Sequence, residues 1–488
     1  MNEEKNNNGW ITGIITAVIV VLVVLFGIDC GIFGLPTCSV RNDRHLVYTE
    51  VSGGYRVEYR GNATYLNIPA TYCDPDTGIE RPVVEVGSLS AARRLRKVTL
   101  PEGIRSIDEK AFSNYTHLRT VELPESLVSI GSKAFFNCAG LRRIHIPAGV
   151  SFIGEDAFSR NMSVNGHNDG VLPSGLSKSR LRSTTVAEGS QKYRVVDGAL
   201  LENGTDRLLA ICSDVTEIPE GIRSMDSGVF GGCPRLKNVT LPAGMTRLPD
   251  YTFAGCRSLE TVRFPDGITA IGAGAFSGCN SLEEIVIPDQ VTEIGAKAFG
   301  GCKKLRSIHL PDSLSVLEDE VLYNCGKLAS VSLPEGLTGI GEYALEKCKS
   351  LRELVIPDSV RTIRQGAMAG CKNLRSLHLP EQLEEITFIY DSPIRDCTAL
   401  TEVEIPYRVK ILTEELFRGC KNLKTVRLHS GIELIEKGAF VKSGVECIAF
   451  EGTQERWEAI KKQDRWNMID SFTYGTGCAR KIVVRCES

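Results

Sequence analysis

Residues 282 to 304 read LEEIVIPDQVTEIGAKAFGGCKK, and the same skeleton precedes them at Leu259 (LETVRFPDGITAIGAGAFSGCNS) and follows them at Leu305 (LRSIHLPDSLSVLEDEVLYNCGK). A leucine, a proline, an Ile-Gly, an Ala-Phe and a cysteine, or close equivalents, return every 23 residues. Twelve units start at Leu95, Leu118, Leu141, Leu236, Leu259, Leu282, Leu305, Leu328, Leu351, Leu374, Leu400 and Leu423, and a partial one surrounds Ile218. A period of this length signals a solenoid, because one unit is too small to bury its own apolar face and must stack on its neighbours. Repetition therefore overrides the expectation that 488 residues divide into several separate domains.

Within LEEIVIP the apolar residues alternate with polar or variable ones, the period of a half-buried strand, so Ile285 and Ile287 are expected to point inward. Pro288 lacks the N–H that a strand ladder needs and ends the strand. A second short extended piece, VTEIG, turns Val291 and Ile294 inward, with Gly295 permitting a bend. AKAFGGC finishes the coil as a turn or single helical turn, with Ala298, Phe299 and Cys302 as core candidates. The fold class expected is a mainly β repeat solenoid. At about 4.8 Å per stacked strand, thirteen coils make a rod or arc of roughly 60 Å.

This unit resembles that of the BspA-like bacterial surface leucine-rich repeats, approximately LxxIxIPxxVxxIGxxAFxxCxxL, and the resemblance runs from residue 95 to 443. It implies a curved leucine-rich-repeat solenoid on a cell surface that binds proteins or host components, and it implies no catalytic residue. YTEVSGGYRVEYRGNATYLNIPATY is similar to an N-terminal hairpin cap of that family, and IAFEGTQERWEAIKKQDRW to its closing segment. The organisation expected is thus a tail, anchor and linker (1–41), an N-terminal cap (42–94), repeats (95–161), an interruption (162–214), repeats (215–443) and a C-terminal cap (444–488).

Residues 10 to 28, WITGIITAVIVVLVVLFGI, are uncharged and long enough to cross a hydrocarbon core as a transmembrane helix. A cleaved signal peptide is the alternative, although the usual small-residue cleavage site is replaced by Asp29 and Cys30. Lipidation at Cys30 is disfavoured by Asp29 directly before it. Lys5 on one flank against Arg41 and Arg44 on the other slightly favours a cytoplasmic C-terminus. Large domains translocate largely regardless of such counts, so the solenoid is expected outside the cytoplasm, in a single-pass membrane protein.

Seventeen cysteines invite a disulfide reading, but ten of them (Cys138, Cys233, Cys256, Cys279, Cys302, Cys325, Cys348, Cys371, Cys397, Cys420) are the repeat itself. Stacked rungs hold their Cβ vectors parallel, which keeps sulfurs side by side rather than converging. Tyr115, Asn161 and Ser443 occupy the same position in other units, so a ladder of reduced, buried thiols is expected. Off the ladder, Cys478 and Cys486 sit in the tail, and Cys38 and Cys73 lie near the first cap, where a staple would be useful.

The chain carries no C-x-x-C or H-E-x-x-H metal motif, no G-x-S-x-G nucleophile elbow, no Walker lysine loop and no G-x-G-x-x-G. No enzyme activity, metal or cofactor is expected. A net charge of −3, from 57 Lys and Arg against 60 Asp and Glu, gives no general attraction to nucleic acid. The interruption reads as a Gly/Ser-rich loop followed by a small β-meander, with hairpin signals at Asp197-Gly198 and Asn203-Gly204, and the solenoid is expected to continue on both sides of it.

The strand positions that point away from the core offer the candidate binding face. From residue 284 to 404 they hold Glu284, His309, Glu353, His378, Glu402 and Glu404 among serines and valines, with no Lys, Arg or aromatic residue. Such a face suits a basic protein or peptide better than a sugar or a phosphate. The expectation is a membrane-anchored surface protein that binds or adheres to a host or cell-surface protein. The alternative is a structural component of the envelope without a specific ligand.

Overall fold

The computed structural model describes residues 45–89, 94–160, 181–383, 385–386, 392–464, 466–467 and 482–487. The apolar segment 10–28, Cys30, Cys38, Cys478 and the loop 161–180 lie outside the described residues. Among those described, no helix is long and apolar enough to cross a membrane.

Each rung carries two short parallel strands and one turn. Glu284–Val286 pairs with Ser307–His309 of the next rung, placing Glu284 beside Ser307 and Val286 beside His309. Its middle residue, Ile285, is buried, and the two flanking residues are exposed. The second strand, Glu293–Ile294, pairs with Ala270–Ile271 of the preceding rung. Between the two strands the Pro288 carbonyl accepts the Val291 N–H at 3.0 Å and closes the bend. Ala298, Phe299 and Cys302 are fully buried, as the sequence pattern predicts.

Of the two conformations expected for AKAFGGC, the rung adopts the turn. Lys297 and Gly301 both lie in the left-handed region, at φ 60° and 75°. The same pair of positions is left-handed at Lys110 and Asn114, Lys133 and Asn137, and Glu320 and Asn324. A non-glycine residue there costs roughly 1–2 kcal/mol. The compensation is a third hydrogen-bonded row along the stack. The N–H groups of Lys297, Phe299 and Gly301 donate to the carbonyls of Asp319, Val321 and Tyr323 at 2.8, 2.9 and 2.6 Å. Helical geometry would turn these groups back into their own rung.

Gly295 has a different reason from the bend expected of it. A Cβ there would lie 2.6 Å from the backbone nitrogen of Ala273, so the glycine lets two rungs approach. Gly272 and Gly341 meet the preceding rung in the same way. This close stacking also aligns the core phenylalanines. Phe230, Phe253, Phe276 and Phe299 form a column with ring centroids 5.3, 5.6 and 5.4 Å apart.

The interruption is built into the stack. Ser183–Val186 pairs in parallel with Arg143–Ile146, so it supplies the next first-face strand. Three antiparallel strands follow, Tyr193–Val196, Ala199–Glu202 and Arg207–Ile211, and the last pairs with Ser224–Met225 of the second face. The meander divides the core in two. Leu181, Leu200 and Leu209 pack with the N-terminal rungs, whereas Ala199, Leu201, Leu208 and Ile211 pack with the C-terminal ones. The stack runs on both sides of a β septum with two apolar faces.

A buried polar knot holds the septum to both neighbours. Asp226, 3% exposed, accepts Nε of Arg207 at 2.7 Å and the N–H of Asp156 at 3.0 Å. Asp156 in turn accepts the Ser227 N–H at 2.9 Å and the Ser159 hydroxyl at 3.1 Å.

At the N-terminal end, an antiparallel hairpin of Leu46–Val51 and Gly54–Tyr59 joins the second-face sheet through Glu80–Val86. At the other end a one-and-a-half-turn helix, Gln454–Ala459, is capped by Thr453. It sets Trp457 against Phe450 and Trp466, at centroid distances of 5.3 and 5.9 Å, over the last rungs.

Candidate functional site

Strand alternation decides what the first face shows. With Ile285, Ile308, Leu354, Leu377 and Val403 buried, the residues on either side of each point outward. Glu284, His309, Glu353, His378, Glu402 and Glu404 are all exposed on this face. Two of its apolar residues are also bare: Val286 is 74% and Val355 66% exposed.

The face holds an open groove of about 530 Å³. Glu284 and Val286 line one end, Glu353 and Val355 the other, and Ser307, His309, Ser330 and Ser332 lie between them. A second groove of about 450 Å³ adjoins it and shares Glu284 and Ser307. The structure therefore gathers Glu284, His309 and Glu353 around one depression. His378 lies next to Val355 in the following rung, and Glu402 and Glu404 continue the face on the strand that pairs with Thr425–His429. None of these last three lines the groove.

Two contributors escaped the reading of strand positions. The groove is also lined by Glu335 and Pro357 from the bends that follow the strands. Asp289, from an equivalent bend, approaches His309 Nε2 at 3.6 Å. The signal was present as an acidic residue after six successive strand-ending prolines: Asp266, Asp289, Asp312, Glu335, Asp358 and Glu381 are all exposed. They form an acidic rim along one side of the face, six rungs long.

Charge pairing separates the face from its surroundings. Glu283 is paired with Arg306 at 3.4 Å, Glu293 with Arg247 at 2.9 Å, Glu320 with Lys297 at 2.7 Å and Glu433 with Lys410 at 2.9 Å. Among the described residues, Glu284, Glu353, Glu402 and Glu404 have no ion-pair partner within 4.0 Å: the outward strand positions from 284 to 404 carry no cation, and the nearest ones flank the face, Arg427 beside Glu404 on the next strand and Lys304 and Arg306 in the groove adjoining Glu284. Carboxylates held in a row without ion-pair partners create a negative potential that attracts a cationic surface.

The other candidate chemistry is the thiol ladder. All ten ladder cysteines are buried free thiols, and so is Cys212. Burial pushes the Cys302 and Cys371 thiols up to about 12, far from the thiolate form that nucleophiles and metal ligands need. Cys73 is disulfide-bonded. Cys486 is a free thiol and donates to Oε1 of Gln454 at 3.3 Å, so it forms no staple in the tail. No three His, Cys, Asp or Glu side chains converge on a metal-sized site among the described residues. His145 instead shares a hydrogen bond with the Thr185 hydroxyl at 2.9 Å.

No curated protein matches the chain. Solved structures similar to it include a leucine-rich cell surface protein from Faecalibacterium prausnitzii, at 23% identity over 86% of this chain and 96% of that one, with a TM-score of 0.43. A leucine-rich repeat protein from Bacteroides ovatus is 22% identical over 79% and 94%, with a TM-score of 0.36. The pneumococcal vaccine antigen PcpA is 18% identical over 69% and 97%, with a TM-score of 0.43. The profile of the BspA type leucine-rich repeat region, six copies long, matches residues 87–170, 212–325, 269–390 and 387–460. Together these segments take in well over half of the sequence, and the chain belongs to the BspA-type leucine-rich repeat family.

Proposed function

We propose that this chain is a cell-surface protein, held in the membrane by residues 10–28 with its solenoid outside the cytoplasm, that binds a protein partner of host or cell-surface origin on the first strand face. The observation that carries the reading is the groove between Glu284 and Glu353, whose carboxylates are in no ion pair while neighbouring surface glutamates are paired and the cations beside Glu284, Lys304 and Arg306, are engaged by Glu283. Solvating a carboxylate alone is cheap in water, and an approaching cation gains from it without displacing an existing partner. The floor of serines and one imidazole, with two bare valines at the ends, offers both hydrogen-bonding and apolar contact. Membership in a leucine-rich-repeat family supports protein binding as the general role.

The test is a binding array of surface and secreted proteins probed with the purified protein and with a Glu284→Lys, Glu353→Lys variant. Saturable binding to one partner class that the variant loses supports the reading. Self-association alone, equal in both proteins, would favour a structural component of the envelope.

A further inference from the structure

The groove is one period of a longer repeat. Residues from Leu282 run LEEIVIPD and LRSIHLPD in consecutive rungs, and residues from Leu351 run LRELVIPD and LRSLHLPE. The interval is 69 residues, three rungs, and it is the outward residues that are kept: Glu284 and Glu353, Val286 and Val355, Ser307 and Ser376, His309 and His378. Pairing builds the same patch twice. Glu284 lies beside Ser307 and Val286 beside His309; Glu353 lies beside Ser376 and Val355 beside His378. The spacer rung has Ser330 and Ser332, the smallest outward pair of the series. Core packing does not ask for this, since only the inward residues meet the core and the exposed ones differ freely in other rungs.

Resting on the reading of this face as a protein-binding surface, we infer that it takes an extended segment of its partner, laid along the solenoid axis, with Lys or Arg at residues i and i+4. Three rungs at about 4.8 Å separate the two patches by about 14 Å. An extended chain advances about 3.4 Å per residue and shows every second side chain on one side, so residues four apart fall on one face about 13.6 Å apart. A helix fits poorly. Its same-face residues recur at three or four, seven or eight and eleven positions, about 4.5–6, 10.5–12 and 16.5 Å, and none falls at about 14 Å. The cation at i meets Glu284, the cation at i+4 meets Glu353, and the acidic rim at Asp289, Asp312 and Glu335 deepens the potential over the residues between. Small or aliphatic residues beside each cation cover Val286 and Val355, which are otherwise bare.

The experiment measures fluorescence anisotropy of three labelled peptides against the full chain in mild detergent. Each peptide contains glycine, serine, threonine and valine with two lysines, placed three, four or five residues apart. The four-residue spacing binds about three- to fivefold more tightly than the others, the scale of one well-placed exposed ion pair, and Glu284→Gln and Glu353→Gln each remove the difference. Both substitutions are on exposed side chains, and circular dichroism checks that the fold is kept. Equal affinities for the three spacings, or no measurable binding by any of them, overturn the inference. Equal binding that both variants weaken overturns the spacing alone and leaves the face as the binding surface; binding that neither variant changes removes the face as well.

Discussion

The thiol of Cys302 donates to the backbone carbonyl of Phe276 in the preceding rung, 3.2 Å away. Cys138 does the same to Phe112, Cys256 to Phe230, Cys325 to Phe299 and Cys420 to Ile394. The recurrent cysteine is thus a small apolar group with one weak donor, placed where a carbonyl that already accepts the Cys279 N–H has a second lone pair free.

Reactivity follows from this placement. With burial holding the ladder thiols protonated, a thiol reagent at pH 8 modifies few of them in the native protein and most of them after denaturation without reductant. Mass spectrometry reads the count, and rung-to-rung disulfides would contradict the arrangement. Replacing Cys302 by Ser costs roughly 1–3 kcal/mol, because the shorter, more strongly hydrated hydroxyl loses water without reaching Phe276 as well.

Close rung stacking makes a second prediction. Gly295→Ala places a methyl group against the Ala273 backbone, and the two rungs must part by several tenths of an ångström. Other rungs carry Glu318 and Arg364 at this position, so the stack can open, at a cost of about 1–3 kcal/mol. Urea unfolding measures it. A variant as stable as the parent would show that the contact is not tight.

The polar knot sets a pH dependence. Burial pushes the Asp226 carboxyl up to about 6 in spite of Arg207. Burial and the neighbouring Glu85 do the same to Asp108, opposed by Arg56. A carboxyl that holds its proton more tightly folded than unfolded adds stability in full below the unfolded value, near 4, and loses it as pH rises through about 6. The contribution from Asp226 therefore falls by on the order of 1–3 kcal/mol between pH 4 and pH 7. Unfolding free energies of the parent and Asp226→Asn across that range give the difference, which shrinks with rising pH. A difference that grows with pH would reverse the assignment.

These relationships divide by the range over which the sequence shows its hand. Ile285, Val291, Ile294, Phe299 and Cys302 declare their burial through a 23-residue rhythm, because each repeats the same local environment. The left-handed turn at Lys297 was not legible. Its driving force is a hydrogen bond to Asp319 in the next rung, and the identity of Lys297 contributes little. The meander was legible in its Asp197-Gly198 and Asn203-Gly204 turns, but its role as a septum was not, because Arg207 reaches Asp226 and Asp156 reaches Ser227 across 19 and 71 residues. For the site, alternation exposed Glu284, His309 and Glu353. The acidic bends at Asp289 and Glu335 joined the face only once the proline bends had folded beside it.

The salt dependence of association tests the electrostatic part of the account. Reversing Glu353 and Glu402 to Lys slows partner association and flattens its dependence on ionic strength, with the fold unchanged, since exposed charges act mainly by steering. Stopped-flow or surface-based kinetics at two salt concentrations would show it, and an unaltered association rate would place the contact elsewhere, for example on the meander that begins at Tyr193.

The most direct measurement compares capture of a partner by the parent protein and by the Glu284→Lys, Glu353→Lys variant, side by side, from the same mixture of surface and secreted proteins. The account predicts one partner class retained by the parent in a saturable manner and lost, by tenfold or more, from the variant. Retention of the same partner at the same affinity by both proteins would contradict a binding site on this face.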